Sequence, residues 1–456
     1  MAASSSTDQT TQDEPLVEVR FFTSLPERWH ITTASIQLPV RLTRAGLSEV
    51  INHLLLGINE EHKSLAFDFI LNNELIRGSL GSALERQQLN EEAVAAIEYV
   101  MCIPPPKPQP PQPHKDWVSA VAAHPSGGRL LLSGTMDGSA FVWNGSMEKV
   151  ASLLGHTAAV KGVAWLRGAE GGVLRAATAS KDHTVRTWRV GPLPKAGAEA
   201  DSAPCACEAS LVGHASSVET LVANPSGDRL LSGAWDGSVL VWAAGEAQSG
   251  EEGAGAADGG GDARASKRSK GSKGGGAATA APPAEVAPSG RLVGHAGSVH
   301  AVCWPTASLC YSGSWDGTVR EWHVDVESTS ATLAGQAAVI ALDVSLASAL
   351  TASGHTDHMV RVWDSRLQQA ALQVRLPHKG WANAVRWHPQ QEKLLASACY
   401  DGSVRLWDVR SSIPLHTLTA HEGKALCLCW DGAERVASGG SDEELRVTAI
   451  TLPTGS

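Results

Sequence analysis

One short string recurs along this chain, and its recurrence limits the possible folds more than any other feature. In its fullest form it reads SGSWDGTVREW, from Ser312 to Trp322. Aspartates with the same neighbours stand at Asp137, Asp182, Asp236, Asp316, Asp357, Asp401 and Asp442. Each of the first six is followed six residues later by a tryptophan: Trp143, Trp188, Trp242, Trp322, Trp363 and Trp407. Four residues before each aspartate sits a small hydroxyl: Ser133, Thr178, Ser232, Ser312, Ser353, Ser397 and Ser438. A histidine lies upstream, after glycine at His156, His214 and His295 and without it at His114, His378 and His421; the fifth unit has Gln336 there. Successive aspartates are 45, 54, 80, 41, 44 and 41 residues apart. With the two long intervals taken as insertions, the period is about 40 to 45 residues, that of a repeat of four short strands. The alternation in TVREW, VRVW and VRLW is that of a strand. One four-stranded unit cannot bury both its faces, so the seven must close on one another.

This pattern resembles the WD-repeat β-propeller family. The Ser/Thr, His, Asp and Trp of a unit look like a nucleophile, base and orienter beside an aromatic wall. A catalytic set is needed once, whereas a buried network joining indole, hydroxyl, imidazole and carboxylate is needed in every blade, so the repetition argues for structure. The complete sets are His156, Thr178, Asp182 and Trp188; His214, Ser232, Asp236 and Trp242; and His295, Ser312, Asp316 and Trp322. Blade seven has Thr448 in place of the tryptophan and should be the weakest.

The formal charge of -10 argues against wholesale coating of nucleic acid. The eight cysteines are scattered, and Cys303, Cys310, Cys399, Cys427 and Cys429 lie in apolar runs, as core residues of a reduced compartment would. Neither Cys427 and Cys429 nor Cys205 and Cys207 have metal-ligand spacing, so no metal site of the chain's own and no cofactor are expected. The first fifteen residues are polar, with no apolar core for a signal peptide, and no apolar run is long enough to span a membrane.

Ahead of the repeats, VEVRFFTS and HITTASIQLPV read as a hairpin around PERW. Thr43 can cap a helix whose Leu47, Ile51, Leu54 and Leu55 form one apolar stripe, with Gly57 ending it. Strands at LAFDFIL, NNELIRGS and AVAAIEYVM complete a ubiquitin-like grasp topology over residues 16–101. The expected organisation is therefore mainly β: a disordered tail (1–15), the ubiquitin-like α+β domain, a proline-rich linker (102–113) and a seven-bladed propeller (114–451). The linker PPPKPQPPQP reads as a stiff polyproline II spacer holding the domains apart. No apolar strand remains after Ile450 for the outer edge of blade seven, so the chain before Trp117 would have to supply it. Insertions near 191–209 and 243–290 lack the composition for a core and are expected to be disordered. The second contains KRSKGSK, with Lys267, Arg268, Lys270 and Lys273, either a solvated linker or a nuclear import signal.

The strings VEVRFFTS, GLSEVINHLLL, FDFILNNELIRGSL and AAIEYV resemble the Notchless-like N-terminal domain that precedes WD propellers in large-subunit ribosome assembly factors. The RFFT opening, the short connection to DWV and the seven repeats favour the WD-repeat subunits of the PeBoW complex over Notchless itself. That resemblance implies a non-enzymatic factor for large (60S) subunit assembly and pre-rRNA maturation in the nucleolus and nucleoplasm. Its implied partners are the block-of-proliferation protein, Pescadillo and the midasin AAA ATPase. It also implies that an acidic residue before the last strand of the N-terminal domain completes the coordination of a Mg²⁺ held by midasin; LNEEAV offers Glu92, with Glu91 as the alternate. A ubiquitin-pathway receptor is the reading from a different class.

A propeller presents its turns in register, so the residue before each turn aspartate should point outward on one face. Met136, Trp235, Trp315 and Tyr400 occupy that place, and Trp117 and Trp381, in the matched strings HKDWV and HKGWA, should join them as anchors for a protein partner.

Overall fold

A computed structural model describes residues 15–31, 35–60, 62–89, 94–125, 129–169, 172–193, 203–244, 283–335, 337–364, 366 and 372–453. The N-terminal domain runs β1 (Leu16–Phe22), β2 (Ile36–Pro39), α1 (Arg44–Leu56), β3 (Phe67–Leu71), β4 (Glu74–Leu75), α2 (Leu80–Arg86) and β5 (Ala95–Met101), with sheet order β2-β1-β5-β3-β4. β1 and β5 are parallel at the centre and their other neighbours antiparallel, the grasp topology expected. Alternate residues of β1 (Val17, Val19, Phe21) point to the core, where Leu47, Ile51 and Leu55 of α1 meet them. The helix ends differ from expectation. Thr43 makes no side-chain cap, its backbone being engaged in a bridge to Ser79, and Gly57 remains in right-handed helical conformation.

The described residues form seven propeller sheets with the first strand of each innermost; five are four-stranded meanders, while blade two carries a fifth strand and blade seven takes its outer strand from 107–113. Blade one runs Val118–Ala123, Leu131–Thr135, Ala140–Trp143 and Lys149–Leu153. Apolar clusters fill the spaces between neighbouring blades, as a ring of two-sided sheets requires. The turn after the second strand is tight. Gly138, Gly237, Gly317 and Gly402 take φ of 75–88° there, and His183, His358 and Glu443 hold the same left-handed conformation where glycine is missing.

Two expectations about connections are corrected. Residues 102–113 do not hold the domains apart. Lys107–Pro108 and Gln112–Pro113 pair antiparallel with Glu444–Ala449, so the linker is the outer strand of blade seven, the source expected from the lack of an apolar strand after Ile450. Its prolines are tolerated because that edge has no further neighbour to receive an N–H. The N-terminal domain packs directly on blades six and seven: Ile70, Leu75 and Val100 share an apolar cluster with Ala396, Leu415, Leu428 and Ile450. Arg77 donates to the carbonyls of Pro414 and Leu415, and Arg410 bonds Glu98 and Ser24. Ser411 to Leu415 connect the third and fourth strands of blade six, so this contact lies on the face opposite the Asp turns.

The insertions are also shorter than their composition suggested. Cys205–Val212 is the outer strand of blade two, and Ala284–Val286 adds a fifth, parallel strand beside it before Gly290–Leu292 closes blade three. A strand's own composition matters less than the hydrogen-bonding edge waiting for it.

Candidate functional site

The repeated polar set is a buried strut. In six blades the indole N–H donates to the Ser/Thr hydroxyl at 2.7–2.8 Å: Trp143 to Ser133, Trp188 to Thr178, Trp242 to Ser232, Trp322 to Ser312, Trp363 to Ser353 and Trp407 to Ser397. That hydroxyl in turn meets the Nε2 of a histidine, and the histidine Nδ1 meets an acceptor. The acceptor is Asp182, Asp236, Asp316 or Asp442 in blades two, three, four and seven. In blades one and six it is the carbonyl of Gln112 or Leu376. Because carboxylates and carbonyls only accept, Nδ1 carries the proton and Nε2 receives the hydroxyl hydrogen. Every polar atom of the strut is thereby used, leaving no free nucleophile. Burial alone would raise the carboxyls of Asp182 and Asp236, yet the bonds they accept from His156 and His214 hold both below the usual range; Asp316 is lowered to about 2 by bonds from Thr318 and His295.

Blade five needs a correction. Gln336 lies outside the described residues, and the imidazole comes from His355, two residues after Ser353: Nε2 meets Ser353 at 2.8 Å and Nδ1 the Ala337 carbonyl at 3.1 Å. The freed Asp357 pairs with Arg361, as Asp401 does with Arg405. The sequence carried a signal for this: S-G-H at 353–355 stands where the other repeats end in a small residue.

The aromatic residues before the turns do gather. Trp117, Met136, Trp235, Trp315, Trp381 and Tyr400 line the mouth of a central cavity of about 330 Å³ on the Asp-turn face. Trp235 and Trp315 are 55% and 47% exposed, large values for indoles in a folded chain. Ring-to-ring contacts run unbroken from Trp235 through His300 (6.2 Å), Trp315 (5.4 Å) and Trp381 (6.3 Å) to Tyr400 (5.2 Å, stacked), where the Lys424 ammonium covers the last ring at 4.7 Å. Trp117 and Met136 line the same mouth beyond this arc.

His300 was not anticipated from sequence, and its position has a local cause. All seven innermost strands shift register at their second residue: Ser119, Lys161, Glu219, His300, Ile340, Asn383 and Leu426. A bulge re-aims its side chain, and these seven all line the cavity. Glu219 is held by Lys161 at 3.5 Å and by Ser217 at 2.8 Å. Burial lowers His300 to about 4, so it is a neutral ring in the arc at pH 7. The mouth thus offers aromatic faces, one neutral imidazole and an anchored ion pair, a surface suited to protein side chains.

The remaining candidates are less informative here. Glu91, Glu92 and the basic residues Lys267, Arg268, Lys270 and Lys273 lie outside the described residues. Cys310 and Cys427 are pushed up to about 12 by burial, as inert core thiols are, and no cluster of metal-ligating residues occurs among the described residues.

With this geometry in place, comparison with known proteins is specific. The NLE (NUC135) domain family matches residues 17–84. The WD domain, G-beta repeat family matches 110–144, 147–189, 205–243 and 287–323, and the Anaphase-promoting complex subunit 4 WD40 domain family matches 348–433. Three full-length relatives carry one description, Ribosome biogenesis protein WDR12 homolog. The chain is 36% identical to that of Chlamydomonas reinhardtii, over 95% of this chain and 98% of the relative. It is 34% identical to that of Arabidopsis thaliana and 33% to that of Oryza sativa subsp. japonica, each over 95% of this chain and 96% of the relative.

Proposed function

We propose a function from one premise: the chain belongs to the WDR12 family of ribosome biogenesis proteins. Within that role it acts as a non-enzymatic assembly factor for the large subunit, needed for pre-rRNA maturation in the nucleolus and nucleoplasm. The propeller docks the block-of-proliferation protein in a trimer with Pescadillo, on the pre-60S particle. The observation that supports the docking half is the aromatic arc from Trp235 to Tyr400, with Trp235 and Trp315 exposed and the other rings half-buried, on the face that the N-terminal domain leaves clear. Seven propeller sheets among the described residues favour this reading over a Notchless-type factor.

The second half concerns release. The N-terminal domain engages midasin, with Glu92 (or Glu91) completing the coordination of a Mg²⁺ held by that ATPase. A hard cation near octahedral geometry needs the full charge and reach of the carboxylate. Glu92→Gln and Glu92→Asp should both abolish metal-dependent midasin binding while changing domain stability by no more than about 0.5 kcal/mol. Retained binding by Glu92→Ala with loss in Glu91→Ala would move the role to Glu91; retention in the double variant would discard it. The basic run Lys267–Lys273 directs nuclear import, and changing its four cations to serine should shift a fluorescent fusion to the cytoplasm.

For the whole reading, affinity purification from nuclear extract should recover pre-60S proteins with the wild-type chain. Recovery of ligase or proteasome subunits instead would support the ubiquitin-pathway alternative.

A further inference from the structure

We propose that the outer strand of blade seven is a releasable latch, through which force on the N-terminal domain opens the propeller ring at one seam. Four observations converge on that seam. The closing strand is built from the linker, so the chain that joins the two domains also closes the ring. Seven of residues 104–113 are proline, leaving only Lys107, Gln109 and Gln112 with an N–H to give. The pairing is correspondingly sparse: two short bridges, with Gln109 N–H to the Val447 carbonyl (2.8 Å) between them and His114 N–H to Glu443 (2.7 Å) beyond. Blade seven also lacks the indole that ties the third strand to the second in the other six, Thr448 standing in its place beside Pro108.

Direction of loading matters as much as strength. The strand enters blade seven from the face where the N-terminal domain sits, Lys107 opposite Ala449, and climbs to Pro113 opposite Glu444. Tension from the N-terminal domain against the chain's C-terminal end therefore falls on the lowest rung first. The rungs break in sequence, Thr448–Ala449, then Val447, then Glu444–Leu445, and not together as in shear. The peel stops at His114, whose Nε2 holds Ser133 at 3.0 Å inside the blade-one strut. Before any of this the domain must leave its apolar seat and the Arg410–Glu98 pair. The latch is thus closed while the domain is docked and exposed once it is pulled away.

This inference supplies a mechanical consequence for the proposed ATPase engagement, and its test needs no ATPase, so the two can fail separately. The full chain, with the exposed Cys205 changed to serine, is stretched in an optical trap between handles at its two ends. The expected record has an early reversible step of roughly 25 Å, seven residues at about 3.5 Å each, before any blade unfolds. Lys107→Cys with Ala449→Cys, oxidised, should remove that step, and reductant should restore it. Pro113→Cys with Glu444→Cys should leave a shortened step, because the lower rungs still peel. An identical record for the oxidised and reduced Lys107/Ala449 pair, or a first event in which blades two to six unfold, would overturn the latch.

Discussion

An indole N–H that donates to a hydroxyl ten residues upstream is the unit of stability in this protein, repeated in six blades. Trp322 is 1% exposed, so Trp322→Ala removes a core aromatic and leaves Ser312 short of a donor. The expected cost is about 3–5 kcal/mol, read as a lowered urea midpoint; an unchanged midpoint would mean the residue is not core. The imidazoles of the same struts set a pH dependence. Burial lowers His355 and His378 to about 4 in the fold, from an ordinary 6.5. Below pH 6.5 the unfolded chain binds protons that the folded chain refuses, so their contribution is complete above that value and is lost as pH falls toward 4. The depressed Asp182, Asp236 and Asp316 act lower: their contribution is present above the ordinary carboxylate pKa and is lost as pH falls through their folded values. Urea midpoints followed by tryptophan fluorescence should therefore fall steadily from pH 7 to pH 4. A flat profile would show these imidazoles to be solvated.

At the scale of elements, what could be read from the chain depended on whether a segment's partner was local. The struts were legible because hydroxyl, aspartate and tryptophan sit within one hairpin at constant spacing. The outward place of Trp235, Trp315 and Tyr400 was legible for the same reason: one turn geometry, repeated. His300 was not, since only the bulge at the second residue of each inner strand aims it into the mouth, and a bulge breaks the alternation by which strands are read. The proline run was read as a spacer because its composition says polyproline II, and that part failed; its closing of blade seven was legible, because no apolar strand follows Ile450 and an edge tolerates proline, although the paired residues are more than 300 apart in sequence. Docking of the N-terminal domain was invisible, for Arg410 and Glu98 are 312 residues apart. Arg410 is three-way bonded, to Asp408, Glu98 and Ser24, and its burial is outweighed by those carboxylates, which keep it charged. Arg410→Ala should weaken docking by about 2 kcal/mol, the scale of a charged hydrogen bond. Small-angle scattering should then report a larger radius of gyration while the urea midpoint of the propeller stays put; an unchanged radius would assign docking to the apolar seat alone.

The molecule as a whole presents two unlike faces. The N-terminal domain packs on the ring on the side opposite the Asp turns, so the aromatic mouth lies on the face that this domain leaves uncovered. In a protein interface a few buried aromatics carry most of the binding energy. Trp235, Trp315, Trp381 and Tyr400, joined through His300, are the ones this account names. Titration calorimetry of the full chain with the block-of-proliferation protein tests that directly. Single alanine changes at Trp315 and Trp381, at the middle of the arc, should each cost at least about 2 kcal/mol of binding, with urea midpoints close to the parent's. Parent-like binding by all of the arc's alanine variants would place the docking surface elsewhere and contradict the account.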